Sequence, residues 1–329
     1  MKKFINRVDH FLAESLAGFA AAHADLVELN LEPVFVRRKT ATPGKVALIS
    51  GGGSGHEPLH SGFVGYGMLD AACPGQVFTS PTPDQMMAAA QAVDSGAGVL
   101  FIVKNYSGDL MNFEMAAEMC EAPNATVLVN DDVAVENSSY TTGRRGVAGT
   151  MIVEKLVGSM AESGANLEQC KAFGDHVVKR VASMGVAFSS GTVPAAGKPT
   201  FTIGEDEIEI GVGIHGEPGR RRARIAPADA IADELLTAIV DDLKPAADAA
   251  LLVLVNGLGG TPLSELYLLF NSAHAWLRQR GFTIRRVQVG SLTTSLDMAG
   301  ASLTLCSLDA EMMKRWDSAV QTPTLRWGR

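Results

Sequence analysis

Three times within its first 132 residues the chain runs from a short, apolar, β-rich stretch straight into a polar loop. KVALIS (Lys45 to Ser50) enters GGGSGHEP, GVLFIVK (Gly98 to Lys104) enters NYSGD, and ATVLV (Ala125 to Val129) enters NDD. Helical segments fill the intervals near Pro83–Asp94 and Asn112–Glu121, and another follows over Val147–Ser163. Strand, loop and helix in this order predict a parallel α/β sheet, because parallel neighbours need a crossover and a helix commonly supplies it. Ligands in such sheets bind beyond the carboxyl ends of the strands, so the three polar loops are expected to converge.

At 329 residues the chain is long for one core, which predicts two domains. Glycine and proline become frequent over SMGVAFSSGTVPAAGKP, and the boundary is placed near Ala182. The expectation is an N-terminal α/β domain over 1–182 and a C-terminal α+β domain over 183–329, with a cleft between them. The second domain reads as alternating strands in FTIGEDEIEIGVGI, helices over Pro227–Leu243 and Pro262–Arg280, and a buried strand in ALLVLVNGLGG. Further strands are expected over Ile284–Val289 and Ala301–Leu308.

Hydrophobic residues make up 47% and charged residues 19%, which fits a well-buried globular chain and argues against disorder. A net charge of −8 gives no general attraction to nucleic acid or to anionic membranes. Cys73, Cys120, Cys170 and Cys306 form no CxxC pair and read as reduced thiols. The N-terminus begins like a signal peptide, but Asn6, Arg7, Asp9, His10 and Glu14 interrupt any apolar run. Phe4, Ile5, Val8, Phe11, Leu12, Leu16 and Phe19 recur instead at helical spacing. No apolar run reaches membrane-spanning length, and the expected location is cytoplasmic.

Neither glycine-rich loop meets the requirements for ATP. In SGGGSGHEP, His56 stands where GxGxxG needs glycine, and Gly-His-Glu replaces the Gly-Lys-Ser/Thr of a Walker loop. GTVPAAGKPT has one residue too many between its glycines, Pro199 at the hydroxyl position, and Pro194 where a phosphate cradle needs an N–H. What the first loop does offer is His56 among backbone N–H groups, with Lys104 and Asp109 in the second loop: an acid, a base and a cation for removing a hydroxyl proton. GVGIHGEPG, Gly211 to Gly219, sets one histidine among four glycines, and its His-Gly-Glu-Pro echoes the Gly-His-Glu-Pro of residues 55–58. Two glycine-flanked histidines at strand ends in two domains suggest a shared cleft. RRRAR (Arg220 to Arg224) reads as a solvated basic patch, with a docking surface for an acidic partner as the alternative. GRRG (Gly143 to Gly146) could bind an anion or contact acidic neighbours. His10, His23, His60, His176 and His274 receive no role, and no spacing suggests a metal.

Longer segments carry a resemblance. KVALISGGGSGHEPLHSGFVGYGML, ACPGQVFTSPTPDQ, KNYSGDLMNFE, DDVAVENSSYTTGRRGVAGT, TVPAAGKPTF, GVGIHGEPG, NGLGGTPLSELY and TSLDMAG resemble, in order, the K subunit of dihydroxyacetone kinase. The likeness spans essentially the whole chain and includes the terminal TPTLRWGR. It implies two α/β domains with the substrate in the cleft, a homodimer, and dihydroxyacetone as substrate. It also implies no cofactor in this chain: phosphate comes from a separate L subunit carrying an adenine nucleotide and magnesium, recharged by a phosphotransferase-linked protein. Related ATP-dependent enzymes fuse the L domain after this one, and this sequence stops before any such domain.

Residue by residue, the resemblance makes His215 the covalent histidine, whose imidazole adds to the substrate carbonyl as a hemiaminal. It assigns Gly53, Ser54, Gly55 and His56 to the substrate loop, Asp109 to the base with His56 assisting, and Lys104 and Ser80 to substrate binding. Two other readings stay open: a ligand-sensing paralog serving a transcriptional regulator, and a kinase subunit for another short ketose such as a tetrulose.

Overall fold

The computed structural model describes residues 2–135, 143–246 and 248–329. Part of the quoted DDVAVENSSYTTGRRGVAGT segment, residues 136–142, therefore lies outside the described residues. In chain order the elements are α1 (Phe11–Ala22), β1 (Val27–Leu31), β2 (Val34–Arg38), β3 (Ala47–Ser54), β4 (Ala71–Val77), α2 (Pro83–Val93), β5 (Val99–Lys104), α3 (Ser107–Met119) and β6 (Asn124–Val129). There follow α4 (Gly149–Glu162), α5 (Leu167–Val178), β7 (Val181–Ala187), β8 (Glu207–Ile210), β9 (Arg221–Arg224) and α6 (Ala228–Leu243). The chain continues through β10 (Ala250–Gly257), α7 (Leu263–Gln279), β11 (Thr283–Gly290), β12 (Gly300–Leu308) and α8 (Ala310–Asp317).

Two six-stranded sheets organise the molecule. The first has the order β1-β2-β4-β3-β5-β6 and the second β11-β10-β12-β7-β8-β9. Strands β4, β3, β5 and β6 run parallel, as the repeated strand–loop–helix pattern predicts, and β1–β2 adds an antiparallel hairpin at one edge. The second sheet is antiparallel except for β10 with β11.

Helices α2 and α3 cover one face of the first sheet through Met86, Ala89, Phe113 and Ala116, while α6 and α7 cover the outer face of the second. Helix α4 lies between the sheets. Twelve of its fourteen residues are buried, so it has no solvent face and reads as apolar nearly all round. Ile152 and Leu156 share one core with Leu48 and Leu100 of the first sheet and Leu252 and Leu254 of the second. Each such side chain removed from water contributes roughly 1.5–3 kcal/mol.

Some elements differ from the sequence expectation. β7, VASMGVA, is fully buried between β12 and β8, within the stretch that reads as glycine- and proline-rich. Helix α3 starts at Ser107, not Asn112, so Asp109 sits in its first turn and not in a loop. The N-terminal helix is shorter than its apolar pattern: α1 begins at Phe11, after a 3-10 turn over Val8–His10, and Phe4 is exposed. Among the described residues, no helix is long and apolar enough to cross a membrane. The four cysteines are unpaired.

Candidate functional site

The site forms where the carboxyl ends of β3 and β5 meet the loop that follows β8. Adjacent parallel pairing of β3 with β5 places the first two polar loops side by side. Lys104, the last residue of β5, is fully buried and extends across β3 at Gly52, where a Cβ would stand 2.2 Å from its Nζ. Its Nζ donates to the Gly51 carbonyl (3.1 Å) and lies 3.4 Å from Asp109 Oδ2. Asp109 Oδ1 accepts a hydrogen bond from the Ser80 hydroxyl. One carboxylate is thus oriented by a cation on one oxygen and a hydroxyl on the other.

His56 follows β3 after Gly55, whose φ of +101° suits glycine and whose missing Cβ leaves room for Phe78. The Phe78 ring stacks on His56 at 5.0 Å between centroids. Backbone from the second sheet clasps this loop: Leu296 N–H donates to the Gly55 carbonyl (2.8 Å) and Thr294 N–H to the His56 carbonyl (3.2 Å). The His56 ring Nδ1 faces the Thr294 carbonyl at 2.8 Å. Burial, then His215 and Lys104, hold the His56 imidazole well below its ordinary value.

His215 enters from the loop after β8 and stands edge-on to the rings of His56, Tyr106 and Phe78. Its Nδ1 lies 2.9 Å from Glu217 Oε1, and its backbone N–H donates to Glu217 Oε2 at 3.0 Å. Burial would raise the Glu217 carboxyl, but the attraction and hydrogen bond of His215, with Arg145, bring it down to about 2. The first loop is built alike, with Gly55 N–H donating to Glu57. In both loops an acid two residues on folds back onto the backbone, which gives the internal echo a structural meaning.

Hydrogen-bond bookkeeping then constrains the two imidazoles. The Thr294 carbonyl can only accept, so His56 Nδ1 carries a proton; the Glu217 carboxylate does the same for His215 Nδ1. Yet the two Nε2 atoms lie 3.0 Å apart. Two lone pairs would repel at that distance, so the contact requires one proton shared between the rings.

Beside the pair opens a cavity of about 530 Å³, lined by Gly53, Phe78, Ser80, Tyr106, Asp109, Asn112, His215 and Glu217 among others. Of the residues expected at the site, Gly53, Ser80, Asp109 and His215 line it. His56 abuts His215 from behind, Gly55 lies under Phe78, and Lys104 is one layer deeper behind Asp109. The Ser54 hydroxyl turns to the Gly75 carbonyl (2.7 Å). A second cavity, of about 430 Å³, lies beneath α1 near Ser54 and His60.

Three side chains without an assigned role also belong here: Glu217, Tyr106 and His60. The Tyr106 hydroxyl is buried without a hydrogen-bond partner among the described residues, and burial, then Glu217, hold its proton on well above its ordinary value. The Glu-Pro that closes both glycine–histidine loops was a signal for Glu217; nothing local distinguished His60.

The third polar loop does not reach the cavity. Asp131 accepts from Val147 and Gly149 N–H (2.8 Å each) and from Ser183 Oγ, tying the start of α4 to β7. Asp132 pairs with buried Arg145, which also donates to the Gly211 carbonyl (2.7 Å), so GRRG contacts acidic and backbone neighbours. Arg144 likewise pairs with Asp242. In RRRAR, Arg221 pairs with Glu234 and Arg222 with Glu209.

Comparisons with known proteins bear on the fold and family of the chain. The Dak1 domain matches residues 17–324. The chain is 48% identical to the PTS-dependent dihydroxyacetone kinase 1, dihydroxyacetone-binding subunit DhaK of Listeria innocua, covering 99% of this chain and 100% of that protein. The solved C. freundii dihydroxyacetone kinase in complex with AMP-PNP and Mg2+ superimposes with a TM-score of 0.90 at 34% identity, over 99% of this chain and 61% of that one. A dihydroxyacetone kinase operon co-activator, Dha-DhaQ, gives 0.89 at 34% identity, over 94% of this chain and 97% of that one. The match over nearly the whole length, in sequence and in fold, places this chain in the Dak1-domain family, alongside the dihydroxyacetone-binding subunits of dihydroxyacetone kinases.

Proposed function

We propose that the chain binds dihydroxyacetone covalently on His215 and presents its hydroxyl to a nucleotide-bearing L subunit, yielding dihydroxyacetone phosphate. The observation that carries the reading is the grip of Glu217 on His215 Nδ1, which leaves Nε2 as the atom that can attack. The His215 Nε2 lone pair adds to the substrate C2 as the proton held between the two rings is released. The C2–O π pair moves to oxygen, which takes that proton. The adduct keeps its Nδ1 proton against the Glu217 carboxylate, and His56 is left neutral.

A ring nitrogen bonded to carbon keeps no proton to lose, so the adduct stops at the hemiaminal, unlike a lysine Schiff base. The bond selects carbonyl compounds over glycerol and anchors a ligand with little apolar surface. Asp109, assisted by the neutral His56, accepts the hydroxyl proton as that oxygen attacks phosphorus. Such general-base help is worth about 10²–10⁴ in rate, and positioning supplies much of the rest. In this reading the nucleotide and magnesium belong to the L subunit, and two copies of the chain form the working homodimer.

Mass spectrometry under gentle conditions tests the bond. The expected product carries the whole substrate mass, without loss of water, and resists borohydride. His215→Ala should abolish it. An unchanged adduct in that variant, or a dehydrated one trapped on a lysine, overturns the reading.

The likeness to a co-activator structure favours one alternative, a sensing role without turnover. The Ser80–Asp109–Lys104 arrangement argues for catalysis, since carbonyl capture alone does not need it. Turnover with a purified L subunit separates the two, and rates with dihydroxyacetone and a tetrulose rank the ketoses.

A further inference from the structure

Behind Asp109 lies a line of buried polar groups that the reaction proposed above does not use. Lys104 Nζ is 2.9 Å from His60 Nε2. His60 Nδ1 is 2.5 Å from Glu154 Oε1 and 3.0 Å from Ser50 Oγ, and Ser50 donates to the Ile102 carbonyl at 2.7 Å. Glu154 comes from α4, the helix enclosed between the sheets, and is fully buried; His60 is 6% exposed.

The proton inventory leaves one consistent assignment. An ammonium group only donates, so His60 Nε2 must accept from Lys104. His60 is then neutral with its proton on Nδ1. Ser50 has given its own proton to Ile102, so both Ser50 Oγ and Glu154 Oε1 accept from Nδ1. Burial, then the Lys104 charge, hold the His60 imidazole well below its ordinary value, which agrees with a neutral ring. Burial likewise drives the Glu154 carboxyl well above its ordinary value. Leucine at either position would fill the core without the cost of burying polar groups.

We infer that His60, oriented by Glu154 and Ser50, is a positioning residue for Lys104: it fixes the direction of the ammonium and thereby sets the cation against Asp109 Oδ2. Nζ has hydrogen-bond partners in the Gly51 carbonyl and His60 Nε2 and is ion-paired with Asp109 Oδ2 at 3.4 Å, so the first two contacts set the direction from which the charge faces the carboxylate. Without His60 the group is free to turn or withdraw from the carboxylate. The kinetic consequence rests on the function proposed above; the tautomer and the contact do not.

The test uses the full chain with a purified, nucleotide-loaded L subunit and dihydroxyacetone. His60→Leu removes the acceptor, and His60→Gln returns an amide oxygen near the position of Nε2. His60→Leu should lower kcat about 10- to 100-fold, the range expected for losing a hydrogen bond to a charged group. KM should change little, and the His215 adduct should still form. His60→Gln should recover most of the rate. An unchanged kcat in His60→Leu, or no recovery in His60→Gln, overturns the inference.

Long-range ¹⁵N–¹H spectra of the wild-type protein supply a test that needs no activity. They should show His60 protonated on Nδ1 and bare on Nε2 from pH 6 to 9. A proton on Nε2, or an imidazolium, overturns the inference even if the variants fail to fold. A wild-type protein that makes no sugar phosphate would instead defeat the functional reading, and the tautomer would still decide this one.

Discussion

Lys104 Nζ occupies the space that a side chain at residue 52 would need, with 2.2 Å between it and a Cβ built on Gly52. The backbone of β3 and the Lys104 ammonium are therefore fitted to each other. Gly52→Ala should displace the flexible end of the lysine more readily than the strand. Overpacking of this kind typically costs about 1–3 kcal/mol. Turnover with the L subunit should fall at least about 10-fold, since the reacting groups lose their geometry. A variant that unfolds at wild-type denaturant concentration and turns over normally would show that Lys104 need not lie where it does.

For Asp109→Asn the expected result is a protein that still forms the His215 adduct while turnover drops by about 10²-fold or more. The amide keeps an oxygen for Ser80 but cannot take the hydroxyl proton. Adduct mass and kcat, measured on one preparation, check the split. Near-normal turnover would remove Asp109 from the base role.

Glu217 links the site to acid stability. Its carboxyl lies at about 2 in the folded protein against an ordinary 4.5. A carboxyl depressed by folding stabilises the native state above its unfolded value, and that contribution is lost as pH falls towards the folded value. The window therefore runs from about 4.5 down to about 2, and the contribution at neutral pH is about 3 kcal/mol. Glu217→Gln should lose about that much at pH 7, and its deficit relative to wild type should shrink below pH 4.5. Urea unfolding of both proteins from pH 7 to pH 3 measures it; a deficit independent of pH would contradict the assignment.

Arg145 is the buried partner of Asp132, whose carboxyl burial raises to about 6 despite the arginine. Arg145→Met should cost about 3–5 kcal/mol at pH 7, because it leaves an uncompensated buried charge. The penalty should diminish as pH falls towards 6, because without the arginine the Asp132 carboxyl lies higher still and takes up its proton before the wild-type group does. Chemical denaturation at pH 7.5 and pH 5.5 is the check, and equal losses at both would argue that packing dominates.

The parallel half of the first sheet was legible because KVALIS, GVLFIVK and ATVLV are continuous apolar runs that punctuation residues close sharply. β7 was not, because VASMGVA is made largely of small residues and lies next to the glycine and proline run that follows it. The start of α3 was hidden by Ser107-Gly108, which read as loop, so Asp109 was placed one element too early in its description. At the site, His56, Lys104, Asp109 and His215 could be singled out from their glycine-rich or polar surroundings. His60 could not: its meaning depends on Glu154, 94 positions away on a helix whose pattern is otherwise apolar. The third loop misled for the opposite reason, since two adjacent acids at a strand end look like a site until Arg145 and Ser183 are seen to claim them.

His56 and His215 each stand on a loop whose backbone is held by its own acid, Glu57 in one and Glu217 in the other. The loops hang from different sheets, so the 3.0 Å between the Nε2 atoms measures how the two halves sit against each other. Arg145 and the 294–296 backbone set that spacing from outside the cavity. A slip of about 1 Å along the seam would carry the nitrogens out of hydrogen-bonding range and strand the common proton on one ring. The joint works as a micrometer: any change in how the halves mesh is read out in the distance between the two ring nitrogens.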